Sequence, residues 1–197
     1  MAETVELFYD FGSPYSYLAS TRIEALIERT GAVLAWRPFL LGGVFKSLGT
    51  ISPAETSASK ARWMLRDLEQ WAAFYEVPYR MNPHFPVNTL RAMRLAVAAE
   101  ERGHQVPLAR RLFADMWVEG KDLADPAVLA EALKAIGAPK GLLERTDSGH
   151  VKERLKANTE EAVSRGAFGA PAIFVGEELF WGNDRLDFLE RRLERGP

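Results

Sequence analysis

The chain has 197 residues, of which 47% are hydrophobic, and its 25 basic and 27 acidic side chains give a net charge of −2. This apolar content is sufficient for a core in one domain with an insertion or in two small domains, and the balanced charge argues against nucleic-acid and membrane-surface binding. There is no cysteine, which excludes disulfides, thiolate nucleophiles, cysteine-based zinc sites and iron–sulfur clusters within this chain.

The N-terminal forty residues predict a strand–helix–strand unit. Residues 5–10 form a β-rich run that ends at Gly12, and Ser13 followed by Pro14 is typical of a helix N-cap with proline at the first helical position. A second β-rich run covers residues 33–39. A helical connection of this length favours parallel pairing of the two strands.

The first four residues, Met-Ala-Glu-Thr, lack the basic region of a signal peptide and lead directly into the first predicted strand. The sequence also has no apolar stretch of the length that a membrane-spanning helix needs. We therefore expect a cytoplasmic protein that does not enter a membrane.

Ser13 is the first candidate for chemistry. The first N–H groups of a helix have no partners within it, and the helix dipole adds partial positive charge, so a hydroxyl at this position can help to hold an anion such as a thiolate. Because the chain has no cysteine, a cofactor would have to bring the sulfur. The alternative is that Ser13 serves only as an N-cap, which stabilises a helix by about 1 kcal/mol.

The middle of the chain predicts a turn, a loop and then helices. Residues 40–46 form a glycine-containing turn at the carboxyl end of the second strand, where open α/β sheets bind ligands, so Lys46 is expected to face the same crevice as Ser13 unless it is simply solvated. Residues 47–59 are small and polar and indicate a loop. Residues 60–158 show helical periodicity throughout.

The three histidines lie far apart and have no partners at metal-ligand spacing. We therefore expect no metal site.

The C-terminal forty residues predict a loop, a hairpin and a final helix. Pro171 stands at the start of a strand, and a cis bond before it would leave the backbone of Ala170 facing the crevice, ready to pair with an extended peptide. The hairpin covers residues 175–181 with its turn at a glycine. Asn183 or Asp184 is expected to cap the last helix, and capping alone is the alternative to a role in ligand binding.

This order of elements resembles the DsbA-like superfamily. The resemblance implies an α/β fold of thioredoxin-like type with a large all-helical insertion, the DsbA-like or kappa glutathione transferase architecture. Residues 1–55 and 158–197 would form the thioredoxin-like domain and residues 56–157 the inserted helical domain. Where oxidoreductases of this superfamily carry Cys-x-x-Cys, the chain has Ser-Pro-Tyr-Ser at residues 13–16, so its own residues cannot perform redox catalysis.

Three separated motifs, at residues 11–18, 169–171 and 180–186, resemble the kappa-class glutathione transferase group, and residues 37–46 add to the match. Within that group the chain is most similar to 2-hydroxychromene-2-carboxylate isomerases. This resemblance implies glutathione as the cofactor, with the thiol hydrogen-bonded and activated by Ser13. It also implies the residues that bind the rest of the tripeptide: Ala170 beside Pro171 for the cysteinyl backbone, and Trp181, Gly182, Asn183 and Asp184 for the γ-glutamyl end.

The same resemblance implies a small aromatic carboxylate substrate and a homodimer. Lys46 would bind the carboxylate, and Phe85 would lie at the substrate. Two departures from the family pattern affect the substrate side, because Ala54 and Glu55 stand where asparagine and arginine occur, and Phe85 stands near the position of a tyrosine.

The implied reaction is the conversion of 2-hydroxychromene-2-carboxylate, or a related intermediate of aromatic catabolism, to trans-o-hydroxybenzylidenepyruvate by reversible addition of the glutathione thiolate. One alternative is a kappa-type transferase that keeps the conjugate. A second alternative is a non-catalytic DsbA-like module that binds extended peptides along the edge at Pro171.

Overall fold

A computed structural model describes residues 2–196. In it, the strand β1 (Thr4–Tyr9) is an inner strand of the sheet. It pairs in parallel with β2 (Val33–Pro38), to which the helix α1 (Pro14–Thr30) connects it, as predicted. On its other side β1 pairs antiparallel with β3 (Ala172–Val175), which forms a hairpin with β4 (Glu178–Trp181). The order in the sheet is therefore β2-β1-β3-β4.

The region between β2 and β3 is mainly helical, as predicted. Its helices, together with the one that ends the chain, are α2 (Leu41–Leu48), α3 (Pro53–Thr56), α4 (Ala58–Tyr75), α5 (Leu90–Glu100), α6 (Gln105–Trp117), α7 (Pro126–Ala135), α8 (Leu142–Arg145), α9 (Gly149–Ser164) and α10 (Leu186–Arg195). Within residues 2–196 none of these helices combines the length and the apolar character that crossing a bilayer requires.

Both faces of the two inner strands, β1 and β3, are largely buried, and the alternation along β1 shows how. Val5, Leu7 and Tyr9 point into a large core that also contains side chains of α1, α5, α6 and α7. Phe8 points the other way into a smaller cluster with Phe39 and residues of α2 and α9. Side chains alternate between the two faces of a strand, so this one strand links the two cores.

The large core joins residues of the sheet to residues of the inserted helices in one continuous cluster. The helix α9 also runs without a break through position 158, where the sequence suggests a boundary. The division into residues 1–55 with 158–197 and residues 56–157 therefore stays a prediction, and Met1 and Pro197 lie outside the described residues.

The prediction of a turn at residues 40–46 is wrong, because this segment forms α2. Two tertiary contacts explain the helix in spite of its two glycines, which disfavour helices on their own. The Leu41 N–H donates to Asp10 Oδ2 at 2.8 Å at the start of the helix. A Cβ on Gly43 would lie 3.1 Å from Thr159 Cγ2, so the glycine allows close packing on α9. The predicted loop at 47–59 likewise contains the short helix α3.

Candidate active site

Ser13 joins α1 to the loop before β3. Its Oγ accepts a hydrogen bond from the Ser16 N–H at 3.1 Å, so the residue is the predicted N-cap of α1. The same hydroxyl donates to the Ala170 carbonyl oxygen at 2.9 Å. The O–H is therefore engaged with the carbonyl, and it can meet a ligand by turning away from Ala170 while the oxygen keeps accepting the Ser16 N–H. Ser13 is only 3% exposed, and shielding from water strengthens its electrostatic interactions.

The main chain brings the predicted residues near β3 and β4 together. The bond between Ala170 and Pro171 is cis. The Gly182 N–H donates to the Pro171 carbonyl at 3.1 Å, which extends the β3–β4 ladder past the end of both strands. Ala170 and Pro171 therefore lie beside Trp181 and Gly182, and the hydrogen bond from Ser13 attaches this group to the N-terminus of α1.

Two glycines allow the close packing of this loop. A Cβ on Gly169 would lie 2.6 Å from Trp181 Nε1, so the indole rests directly against the glycine backbone. Gly182 has φ +103°, and a Cβ there would lie 2.5 Å from Asp184 Oδ1. The Trp181 ring also packs on Phe168 at a centroid distance of 4.7 Å, yet the tryptophan remains 42% exposed. An accessible indole face thus borders the loop.

The expectation that Asn183 or Asp184 caps the final helix is wrong. Residues Asn183–Arg185 form a 3-10 turn, and the N-cap of α10 is Arg185, which makes no capping hydrogen bond through its side chain. The reason is that Asn183 is held elsewhere: it is buried, its backbone carbonyl accepts the Tyr75 hydroxyl of α4 at 2.8 Å, and its side-chain Nδ2 donates to the same hydroxyl oxygen at 3.4 Å. The Asp184 carboxylate instead lies over Gly182, is partly exposed and forms an ion pair with Arg185 at 3.3 Å.

Asp10 is a buried carboxylate that the sequence analysis missed, and it holds three segments around the Ser13 turn. Its Oδ1 accepts from the Gly12 N–H at 2.8 Å and from Thr89 Oγ1 at 2.7 Å, while Oδ2 accepts from Leu41 at the start of α2. Burial raises the pKa of this carboxyl, and the three donors oppose that shift. Its position directly after a buried parallel strand was the available signal.

Lys46 lies in the last turn of α2 and is exposed, without an ion pair to any of residues 2–196. It reaches the site only indirectly, through the hydrogen bond between Leu41 and Asp10 at the other end of its helix. Its position beside Ser13 thus stays a prediction. The side chain of Ala54, one of the two departures from the family pattern, lies outside the described residues.

Phe85 is connected to the Ser13 turn through the ring of Trp117. Its ring is half-buried and packs on Trp117 at a centroid distance of 5.9 Å. Trp117 in turn donates its Nε1–H to the Phe11 carbonyl at 2.8 Å. One aromatic ring therefore separates Phe85 from the segment that leads into Ser13.

The helix α4 borders the same region. The Tyr15 hydroxyl, in the first turn of α1, donates to Asp67 Oδ2 at 2.8 Å. Burial and this carboxylate raise the pKa of Tyr15, so its phenol stays protonated at neutral pH.

Across residues 2–196, no three histidine, aspartate or glutamate side chains converge as a metal-binding group. The chemistry available here is therefore hydrogen bonding to an anion beside a backbone edge.

Comparison with known proteins gives a consistent result. A family model described as a DSBA-like thioredoxin domain matches residues 4–194. A 2-hydroxychromene-2-carboxylate isomerase from Sphingobium xenophagum is 34% identical to this chain, and the match covers 98% of this chain and 99% of the length of that isomerase. Glutathione S-transferase kappa 1 from Homo sapiens is 31% identical over 98% of this chain and 92% of its own.

A solved structure of 2-hydroxychromene-2-carboxylate isomerase superposes with a TM-score of 0.88 at 27% identity, covering 98% of this chain and 95% of that chain. The predicted thioredoxin-like fold with its large helical insertion is therefore confirmed.

Proposed function

Since the chain belongs to the DsbA-like thioredoxin family, in the group with 2-hydroxychromene-2-carboxylate isomerases and kappa-class glutathione transferases, we propose that it is a glutathione-dependent isomerase. Its substrate is 2-hydroxychromene-2-carboxylate or a related aromatic-catabolism intermediate, and its product is the trans-benzylidenepyruvate. The observation that carries this proposal is the Ser13 hydroxyl at the N-terminus of α1, hydrogen-bonded at 2.9 Å to the carbonyl beside the cis-proline.

The residues around Ser13 fit the chemical groups of glutathione. A hydroxyl at a helix N-terminus suits a thiolate, the backbone at Ala170 suits an extended peptide, and the partly exposed carboxylate of Asp184 suits the γ-glutamyl ammonium. In this proposal the wall around the bound glutathione is formed by Pro171, Trp181, Gly182 and Asn183. When bound, glutathione would supply a thiolate for reversible addition to the substrate's unsaturated carbon, where the former double bond could rotate before the thiolate is eliminated again.

The protein's contribution is to stabilise the charged form of the sulfur. A free thiol has a pKa of about 8.5, and hydrogen-bond donors together with a helix N-terminus lower it towards neutrality. Ser13 can rotate its hydroxyl hydrogen from the Ala170 carbonyl to a sulfur while its oxygen keeps accepting the Ser16 N–H. Ser13 therefore acts as a hydrogen-bond donor and attacks nothing itself.

The substrate side of the proposal depends on Lys46 and Phe85. Lys46 would attract the substrate carboxylate as a point charge. Phe85, with the Trp117 ring behind it, would line the aromatic part of the pocket and help to exclude water.

A kappa-type transferase is the second candidate. The human kappa enzyme is nearly as similar in sequence as the isomerase relative, 31% against 34%. Such an enzyme would release a stable conjugate, whereas an isomerase regenerates the thiol in every turnover. The two functions therefore differ in whether glutathione is consumed.

The test is absorbance-monitored turnover of 2-hydroxychromene-2-carboxylate by the purified protein, with and without added glutathione. We expect turnover that needs glutathione but does not consume it. Stable conjugates with a halonitroarene and no isomerisation would establish the transferase instead. A protein without measurable affinity for glutathione would contradict both enzymes and leave the peptide-binding module.

The resemblance also leads us to propose a cytoplasmic homodimer. The helix α4 carries two strongly exposed aromatic side chains, Trp63 at 61% and Phe74 at 76% exposure, which a second copy of the chain could cover. Sedimentation of the wild type against Phe74→Glu tests this. A dimer that the charge does not weaken would move the interface elsewhere, and a monomeric wild type would contradict the dimer.

A further inference from the structure

A cavity of about 220 Å³ lies in the helical region, and its lining contains none of the residues proposed to bind glutathione or the substrate. It is bounded by the first turn of α5, the segment before α7 and the turn between α8 and α9. Its lining consists of Asn88, Leu90, Arg91, Arg94, Ala124 and Asp147. None of these residues takes part in the function proposed above.

The cavity contains two guanidinium groups that lack an anionic partner. Arg91 and Arg94 are one helical turn apart on α5, so their side chains share a face. Within residues 2–196 neither of them forms an ion pair, and Arg94 Nε is buried without any hydrogen-bond partner. Because Arg94 Nε is inaccessible to solvent, a ligand would meet the terminal nitrogens of Arg94 instead, which form no hydrogen bond within residues 2–196.

Arg91 is held in place by a buried residue of the neighbouring segment. Its Nε lies 3.4 Å from Thr146 Oγ1, and Thr146 itself donates to the Leu143 carbonyl at 2.7 Å. This arrangement occupies Nε and leaves the two terminal nitrogens of the guanidinium for a ligand. A planar guanidinium offers paired donors that match carboxylate and phosphate oxygens.

Among the residues that line the cavity, the two arginines face a single carboxylate, that of Asp147. Its side chain is 69% exposed and lies 3.8 Å from Lys152 Nζ, which partly offsets its charge. The N-terminus of α5 adds partial positive charge.

We propose that this cavity binds a small molecule through a carboxylate or phosphate group, which Arg91 and Arg94 hold together. Leu90 and Ala124 provide an apolar wall for a short carbon skeleton. The site is independent of the proposed isomerase activity. It would hold its ligand whether or not glutathione is bound.

The test is an NMR titration of the full-length, nitrogen-15-labelled protein with inorganic phosphate and, separately, with succinate, at constant ionic strength. We expect saturable shifts of the Arg91 and Arg94 Nε–Hε signals with at least one of the two anions. Phosphate alone or succinate alone would identify which oxyanion the site takes. Loss of one charged hydrogen bond in Arg94→Gln should weaken binding about tenfold or more.

The matched control is Arg62→Gln, which removes the same charge from an exposed arginine of α4 whose side chain reaches only Ser59 Oγ at 3.4 Å. It should bind like the wild type. If Arg94→Gln does not fold by circular dichroism, Arg91→Gln replaces it in the same comparison. Absence of saturable shifts in the wild type, or equal weakening by Arg62→Gln, would overturn the proposal.

Discussion

The two sides of the candidate site are built in different ways. The side proposed for glutathione is fixed by hydrogen bonds to main-chain carbonyls: the Ser13 hydroxyl donates to the Ala170 carbonyl, and the Gly182 N–H donates to the Pro171 carbonyl. The side proposed for the substrate depends on the side chain of Lys46, which is exposed and forms no ion pair with the described residues 2–196. A backbone arrangement tolerates many side-chain substitutions, whereas a single exposed side chain can be replaced in one step. Cofactor binding should therefore be the more robust property and substrate choice the more variable one.

The largest effect should come from Ser13→Ala. Loss of a single hydrogen-bond donor to a developing anion typically costs about 10²–10³-fold in rate, and we expect kcat/KM for the isomerisation to fall by that factor. Because Ser13 is also the N-cap of α1, the free energy of unfolding should fall by about 1 kcal/mol. Steady-state kinetics and urea denaturation measure the two effects separately.

The control for Ser13 is Ser20→Ala, which removes a hydroxyl that donates to the Tyr17 carbonyl within the same helix, at 2.7 Å. It should leave kcat/KM close to that of the wild type. Turnover by Ser13→Ala at the rate of the control variant would remove Ser13 from the mechanism.

Asp10→Asn should be the most destabilising change near the site. The two carboxylate oxygens accept separately from the Gly12 and Leu41 N–H groups. An asparagine amide has only one oxygen, and its nitrogen cannot accept, so one buried N–H group is left unpaired at a cost of about 1–3 kcal/mol. Urea denaturation measures this loss. Asp125→Asn, at the exposed N-cap of α7, is the control, because asparagine caps as well as aspartate. Equal stability of the two variants would contradict the structural role of Asp10.

The difference in stability between the wild type and Asp10→Asn should depend on pH. Burial raises the pKa of Asp10 above its ordinary value of 3.8, so the folded protein binds this proton more tightly than the unfolded chain does. That contribution is complete below pH 3.8 and is lost as the pH rises through the folded-state pKa. The stability advantage of the wild type over Asp10→Asn should therefore shrink as the pH rises across this window. A growing advantage would show that the three hydrogen bonds outweigh burial.

Asp184→Asn tests the outer end of the cofactor side. Removing the charge that we propose to meet the γ-glutamyl ammonium should raise KM for glutathione about tenfold, the equivalent of about 1.4 kcal/mol. It should leave kcat nearly unchanged, because the proposal places Asp184 away from the sulfur. Asp187→Asn, exposed in the first turn of α10, serves as the control. A fall in kcat without a change in KM would place Asp184 closer to the chemistry than we propose.

The sequence was informative where local patterns decide the structure. The β-rich run of β1, the Ser-Pro start of α1 and the glycine turn of the hairpin are all local, and each is found as predicted. It failed where distant contacts decide. The helix α2 forms because Asp10 holds its first N–H, and Asn183 does not cap α10 because Tyr75 engages it.

Asp10 itself illustrates the limit for the site. Its type and its place after a strand are visible in the sequence, but its role depends on Thr89 and Leu41, which lie 79 and 31 residues away. No periodicity or spacing rule connects such positions. The cavity around Arg91 and Arg94 escapes sequence reasoning for the same reason, since its lining comes from segments that meet only in the fold.

Lys46→Met should produce the smallest effect and distinguishes the two sides most directly. An exposed point charge contributes up to about 1 kcal/mol, so KM for the aromatic carboxylate should rise by about fivefold while KM for glutathione stays constant. Lys60→Met, exposed in the first turn of α4, removes the same charge elsewhere and should change neither value. If Lys46→Met instead raised KM for glutathione, the lysine would belong to the cofactor side. The contrast between a main-chain cofactor site and a side-chain substrate site would then fail.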